Sequence, residues 1–234
     1  MSEKCVKIIS VLTSVLLLTV MLISTGEFFC GSSFWFEREC SAHENVIVKE
    51  YGQDEAVRIS EETMDYLLGR SESIDDLAAK GSDKAFYNHR ELHHLADCRA
   101  LFLGALRMRN ILLAVSAIAL TLLVAMRKAK IFARSYVNTA RLATVFVVAA
   151  VVIFAINFSS AYDWIHELLF DNYLWILNPV TDDLVNLMTI DVITETAGII
   201  LTTWICLALI IGKAIYRKFV PTEDLVTRIR MLMS

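Results

Sequence analysis

Two clusters of polar residues in this sequence have the types and spacing that acid/base chemistry requires. The first lies at 90–97, where Glu91, His94 and Asp97 recur every three residues and therefore share one face of a helix. A carboxylate beside an imidazole fixes its tautomer and raises its basicity. The spacing therefore predicts that His94 lies between two carboxylates and exchanges protons.

The second cluster lies at 162–179, where aromatic and acidic side chains alternate. His166 has Asp163 three residues before it and Phe170 four residues after it, a setting similar to that of His94. Such a composition is typical of a segment that lies in the plane of a membrane interface. We expect this segment to cover the outer end of a helix bundle as a lid and to bring His166 to His94.

A metal site is the first alternative for these residues. His94, Asp97 and His166, with His43 or Glu167 as a further ligand, would suit zinc with an open position for water. The sequence has no HExxH-type spacing, no Gly-x-Ser-x-Gly elbow and no phosphate-cradling glycine loop. Acid/base catalysis without a metal, another cofactor or a covalent acyl-enzyme is therefore the favoured prediction.

The composition places these clusters on a membrane protein. Of the 234 residues, 56% are hydrophobic, above the roughly 45–50% of soluble domains. Four apolar runs reach or nearly reach the roughly 20 residues that cross a bilayer as a helix. The predicted fold is a mainly α integral membrane protein with four transmembrane helices, an interfacial lid segment and a small extracytoplasmic α/β cap. In that cap, 45–51 has the β-branched content of a short strand, and 54–68 has the apolar spacing of a helix that Gly69 ends.

The orientation follows from the charged loops. The segment 127–141 carries five basic residues and no acidic ones, which predicts a cytoplasmic loop and places both termini in the cytoplasm. The outer segments are acidic: 28–99 has 15 acidic and 8 basic side chains, and 159–196 has 7 acidic and none basic. The predicted organisation is transmembrane helices at 1–27, 100–126, 142–158 and 197–216, the cap at 28–99, the basic loop at 127–141, the interfacial segment at 159–196 and a cytoplasmic tail at 217–234.

Charge and cysteine content limit the partners. The acidic outer segments give no reason to expect nucleic acid as a partner, and nothing in the sequence requires a protein partner, so membrane lipid is the expected surrounding. Cys30, Cys40 and Cys98 fall in the outer cap, where one disulfide among the three would leave one thiol over.

Together these features resemble the bacterial lipoprotein intramolecular transacylase (Lit) family. The resemblance rests on a Glu-x-x-His-(apolar)-x-Asp motif before the second membrane helix and a Trp-x-x-His…Phe…Trp-x-x-x-Pro-x-x-Asp stretch after the third. The matching residues are Glu91, His94 and Asp97 in the first motif and Trp164, His166, Phe170, Trp175, Pro179 and Asp182 in the second. The chain departs from the family pattern at His93, an added imidazole, and at 188–191, where a Pro-Glu pair is expected.

The resemblance implies an acyl shift within a diacylated lipoprotein at the outer face of a bacterial cell membrane. The sn-2 acyl chain of the thioether-linked glyceryl group would move to the amine of the N-terminal cysteine. His94 would take the amine proton, steadied by Glu91 or Asp97, and His166 would stabilise the intermediate and return a proton, or the two histidines would exchange these roles. Asp163, from its spacing to His166, and Asp182, from the second motif, are candidate positioning residues. By the same analogy, the aromatic residues that exclude water would be Phe34, Trp35, Trp164, Phe170 and Trp175.

Two rival interpretations remain. A metal-dependent hydrolase at the membrane surface would bind metal and lose activity with a chelator. A non-enzymatic membrane protein, with the cap as a binding module, would tolerate the loss of both His94 and His166.

Overall fold

The computed structural model describes residues 2–220, and the regular structure in that range consists of helices alone. The helices are α1 Glu3–Cys30, α2 Ser33–Ala42, α3 Val46–Tyr51, α4 Gln53–Leu67, α5 His89–Ala125, α6 Ala129–Ile156, α7 Phe158–Leu169, α8 Asp183–Leu187 and α9 Ile190–Phe219. The tail predicted at 217–234 lies mostly outside the described residues.

Four of these helices, α1, α5, α6 and α9, are long and apolar enough to cross a membrane. Many of their apolar side chains are exposed, as for Phe146 (76%) and Ile156 (79%), which is typical of a surface that faces lipid. The prediction of a mainly α membrane protein with four spanning helices is confirmed. The first turns of α5, which carry Glu91, His94 and Asp97, are polar, and its apolar residues follow from Leu101.

The predicted strand at 45–51 is wrong, and with it the α/β character of the cap. The segment forms the one-and-a-half-turn helix α3 instead, with the Asn45 side chain accepting a hydrogen bond from the Val48 amide at 2.9 Å. Ile47 is fully buried in a core formed by helices. Helix capping and tertiary packing therefore outweigh the preference of the β-branched residues for strands.

The helix predicted at 54–68 is confirmed as α4. Gly69 follows it with φ +76°, a left-handed conformation that favours glycine. The Gly69 amide donates to the Tyr66 carbonyl at 3.1 Å and the Arg70 amide to the Asp65 carbonyl at 2.8 Å, which is the Schellman arrangement. Gly69 therefore ends α4, as its position predicts.

The described chain divides into two compact units with separate hydrophobic cores. One unit comprises 2–23, 108–153 and 201–220, and its core includes Trp204, whose indole N–H donates to the Leu18 carbonyl at 2.8 Å. The other comprises 24–107 and 154–200, with a core between α2, α3, α4 and α8. Both predicted histidine clusters belong to this second unit.

Candidate active site

The structure brings the two predicted histidines together. His94 lies in the second turn of α5 and is 6% exposed, and His166 lies in the last turns of α7. Their ring centroids are 6.3 Å apart. Phe170 contacts both rings, with centroid distances of 5.1 Å to His94 and 5.7 Å to His166. Two imidazoles therefore share one aromatic-walled site.

His166 is held in one tautomer. Its Nδ1 lies 2.8 Å from the Tyr162 carbonyl oxygen one turn earlier, and since a carbonyl only accepts, Nδ1 carries the proton. The ring also packs on Tyr162 and Trp175, with centroid distances of 4.0 and 4.9 Å. In the neutral ring, Nε2 is therefore the nitrogen with the lone pair, and it can act as a proton acceptor.

His94 is held in its neutral form. Burial, with a smaller contribution from the nearby His166, lowers the pKa of His94 to about 4, while the negative charge of Asp97 opposes the shift. The Cys98 thiol lies 3.6 Å from His94 Nε2, and burial raises the pKa of Cys98 to about 12. At neutral pH the site therefore holds an uncharged imidazole beside a protonated thiol, and Cys98 is a poor nucleophile.

The Glu91 side chain binds two backbone amides, where the helical spacing indicates a contact with His94. Asn88 and Glu91 form a capping box at the start of α5: the Glu91 amide donates to Asn88 Oδ1 at 3.1 Å, and the Asn88 amide donates to Glu91 Oε2 at 2.8 Å. The other carboxylate oxygen, Oε1, accepts from the Leu184 amide at 2.7 Å. Glu91 is 1% exposed and ties α5 to α8.

Asp182 supports the same junction. Its carboxylate accepts from the Asn88 side chain at 2.8 Å and from the Asn178 amide at 2.7 Å, and it is 5% exposed. The segment 159–196 is therefore joined to the first turn of α5 through both Glu91 and Asp182.

Two further hydrogen bonds position the segment next to the histidines. Asp97 Oδ2 accepts from the Asn172 side chain at 2.9 Å, and the Arg90 guanidinium donates to the Tyr173 carbonyl at 2.6 Å. These contacts fix the chain between His166 and Trp175 against the first turns of α5. Asp97 thus acts on His94 through its charge, and through Asn172 it holds the segment that carries Phe170 and Trp175.

Of the remaining predicted site residues, some lie beside the histidine pair and others are exposed or lie elsewhere. Trp175 is 7% exposed, and its Nε1, beside His166, has no hydrogen-bond partner among the described residues. Trp164 is 58% exposed and Asp163 is exposed, so neither lies in the wall of the site. Phe34 is exposed, whereas Trp35 is buried and donates to Thr196 at 2.9 Å in a separate part of the same unit.

The alternative metal ligands do not gather around the histidine pair. Within residues 2–220, the group of side chains with metal-ligand spacing consists of Glu39, His43 and Glu195. His43 therefore belongs to another cluster, and Glu167 is exposed on α7. The five cysteines, all in the described range, are unpaired, so the disulfide considered for the cap is not formed.

Sequence reasoning missed three neighbours of the pair. Tyr162 lies four residues before His166 and Cys98 four residues after His94, so the i, i+4 rule would have placed both. Asn172, the partner of Asp97, is 75 residues away in the chain, and no local pattern indicates it.

One family model matches this chain, and solved structures share its fold. The family model described as Lipoprotein intramolecular transacylase Lit matches residues 7–191. A solved structure of the membrane integral lipoprotein intramolecular transacylase Lit from Bacillus cereus is similar, with a TM-score of 0.79 and 17% identity, covering 96% of this chain and 100% of that chain. Structures of that protein with a histidine-to-arginine or a histidine-to-alanine mutation give TM-scores of 0.76 and 0.75 at 17% and 16% identity, covering 95% of this chain and 95% and 96% of those chains. The search of curated proteins gave no match.

Proposed function

This chain belongs to the lipoprotein intramolecular transacylase family, and from that premise we propose that His94 and His166 carry out an acyl shift within a diacylated lipoprotein. The acyl chain leaves the sn-2 oxygen of the glyceryl group and is transferred to the amine of the N-terminal cysteine, which gives the lyso form. The observation that carries this proposal is the pairing of two imidazoles, 6.3 Å apart, on separate helices.

The reaction transfers one acyl group and one proton within a single substrate molecule, and the proton moves from the amine nitrogen to the sn-2 oxygen. The amine attacks the ester carbonyl, so a C–N bond forms and the carbonyl oxygen becomes negative in a tetrahedral intermediate. The C–O bond to the sn-2 oxygen then breaks, and the proton lost by nitrogen ends on that oxygen. The attacking geometry closes an eight-membered ring, so positioning of the substrate's two arms is a large part of the task.

His166 is the better candidate for the proton carrier. Its Nδ1–H is committed to the Tyr162 carbonyl, so Nε2 accepts the amine proton and returns it to the departing sn-2 oxygen. Of the two assignments that the sequence left open, this is the one in which His166, and not His94, is the base. A neutral imidazole with its pKa lowered to about 4 takes up a proton poorly near neutral pH.

His94 suits the other task, stabilisation of the negative carbonyl oxygen. A neutral imidazole donates a hydrogen bond through its ring N–H without carrying charge, and it needs no reorganisation as the oxyanion forms. Asp97 and the Glu91–Leu184 contact then act as positioning elements, since they hold the segment of His166 and Trp175 against α5.

Trp175 is proposed as a second donor to the oxyanion, because its buried Nε1–H is without a partner beside His166. Replacing it by phenylalanine keeps an aromatic wall but removes the N–H. We expect a loss of rate of about 10- to 100-fold, the size of one hydrogen bond to a charged group. The rate is measured with a diacylglyceryl lipopeptide and the purified protein, and Trp164→Phe, at an exposed ring, is the control. A Trp175→Phe rate equal to that of the control would remove Trp175 from the mechanism.

The membrane orientation is part of the proposal. The acidic content of 28–99 and 159–196 and the basic residues of 127–141 support an active site at the outer face of the cell membrane, with both termini in the cytoplasm. A diacylated lipoprotein anchored in that leaflet would present its glyceryl ester at the same level, with membrane lipid as the surroundings.

The test of function is fragment-ion mass spectrometry of the N-terminal peptide of a diacylated lipoprotein, from host membranes with and without this protein. We expect one acyl chain on the cysteine nitrogen and a mono-acylated glyceryl group when the protein is present. The intact mass does not change, because an acyl shift within one molecule conserves atoms, so the fragments must locate the chain. Both chains still on glycerol, with the protein shown to be inserted, would contradict the proposal.

A further inference from the structure

A second cluster of titratable side chains lies away from the histidine pair and takes no part in the proposed reaction. Glu39 lies in the last turn of α2, His43 is the residue that directly follows that helix, and Glu195 lies in the second turn of α9. One donor atom of each lies within 4.8 Å of the other two. The elements that carry the cluster also meet through the hydrogen bond from Trp35 to Thr196, at 2.9 Å.

Glu39 is the unusual member of this cluster. It is 1% exposed, and its Oε2 has no hydrogen-bond partner in the part of the chain that the structure describes. A buried carboxylate oxygen without a hydrogen-bond partner is costly, since it has lost its water and no donor replaces it. That oxygen lies 3.8 Å from His43 Nε2, on the side where the three residues converge.

Arg38 orients both carboxylates without filling this space. Its guanidinium contacts Glu39 Oε1 and lies 2.8 Å from Glu195 Oε2, while it stacks over the Trp35 ring at 4.8 Å. The second oxygen of each carboxylate is thereby left to face His43. This is the kind of outer contact that holds metal ligands in place.

We propose that Glu39, His43 and Glu195 bind a divalent transition-metal cation, with zinc as the best match. Zinc takes imidazole nitrogen and carboxylate oxygen at about 2.0–2.2 Å, so donors in a tetrahedral site lie roughly 3.3–3.6 Å apart. The distances from His43 Nε2 to Glu195 Oε1 (3.0 Å) and to Glu39 Oε2 (3.8 Å) lie on either side of that range. The ion joins the end of α2 to the start of α9. The sequence analysis predicted no metal, and no local pattern joins Glu195 to this pair, since it lies 152 residues from His43.

The site is independent of the proposed transacylase reaction, so its test uses binding and not activity. The full-length protein, purified in detergent and stripped with a chelator, is titrated with Zn²⁺ and its bound zinc is counted by elemental analysis. We expect one equivalent of zinc, a rise in the unfolding temperature on binding, and X-ray absorption consistent with nitrogen and oxygen donors and no sulfur.

Variants assign the zinc to its ligands. Glu39→Gln and Glu195→Gln are expected to lose the bound equivalent, and Glu195, which is partly exposed, can be replaced without disturbing the core. Glu37→Gln, at an exposed position of α2, is the matched control and keeps its zinc. Absence of stoichiometric zinc in the wild-type protein would overturn the proposal, as would zinc that persists in Glu195→Gln and is lost when His94 or His166 is replaced.

Discussion

Replacing His166 by asparagine is expected to lower the rate of acyl transfer by roughly 10²- to 10⁴-fold, the range of a general acid/base catalyst. The asparagine amide can retain the donor that His166 Nδ1 directs to the Tyr162 carbonyl, but it places no basic atom where Nε2 lies. The loss therefore reports the missing proton carrier and not a displaced helix. The rate is followed as conversion of a diacylglyceryl lipopeptide to its lyso form.

A control variant and a rescue experiment test whether the lost rate is due to His166 Nε2. Glu167→Gln changes the exposed neighbour of His166 on α7 and should retain the wild-type rate. His166→Ala should regain activity when imidazole is added, in proportion to the uncharged form of the added base. If His166→Asn converts the lipopeptide as fast as the Glu167→Gln control, His166 is not the proton carrier.

The sequence predicted much of the fold because the relevant patterns are local. Four apolar runs of sufficient length identify the spanning helices, and the apolar spacing with a terminal glycine identifies α4. The strand predicted at 45–51 failed because side-chain type alone does not reveal what packs on a segment. Ile47 is buried among helices, and that environment, set by residues far along the chain, determines the conformation.

The histidine pair could be predicted, but the contacts of its neighbours could not. Helical spacing places Glu91 on the face of His94, yet the same spacing, Asn88-x-x-Glu91, is a capping box, and the structure follows the capping pattern. The second carboxylate oxygen of Glu91 accepts from the amide of Leu184, 93 residues away. Pairings over such separations depend on tertiary packing, and so the roles of Glu91, Asp97 and Asp182 as anchors of the interfacial segment follow only from the structure.

Replacing His94 by alanine is expected to lower the rate about 10²- to 10³-fold, the effect of removing one oxyanion donor. Replacing it by glutamine should recover at least part of that loss, since an amide N–H can donate to the oxyanion although it cannot act as a base. The order wild type, glutamine, alanine thus distinguishes donation from proton transfer. His93→Ala, at an exposed ring that packs on His89 with centroids 4.1 Å apart, is the control and should keep the wild-type rate. Equal rates for glutamine and alanine would favour His94 as the base.

The protonation state of His94 gives an independent measurement of the same role. In the unfolded chain His94 should take up its proton near the ordinary value of about 6.5, whereas burial keeps it neutral in the folded protein until about pH 4. Between these values the unfolded state binds more protons, so this group removes stability as pH falls from about 6.5 to about 4 and adds no further change below that. Nitrogen chemical shifts of histidine-labelled protein should show one ring that stays neutral at pH 5, and that signal should vanish in His94→Gln. A His94 signal that titrates near 6.5 would contradict the assignment of a neutral donor, because the His94 ring would then be charged at pH 5.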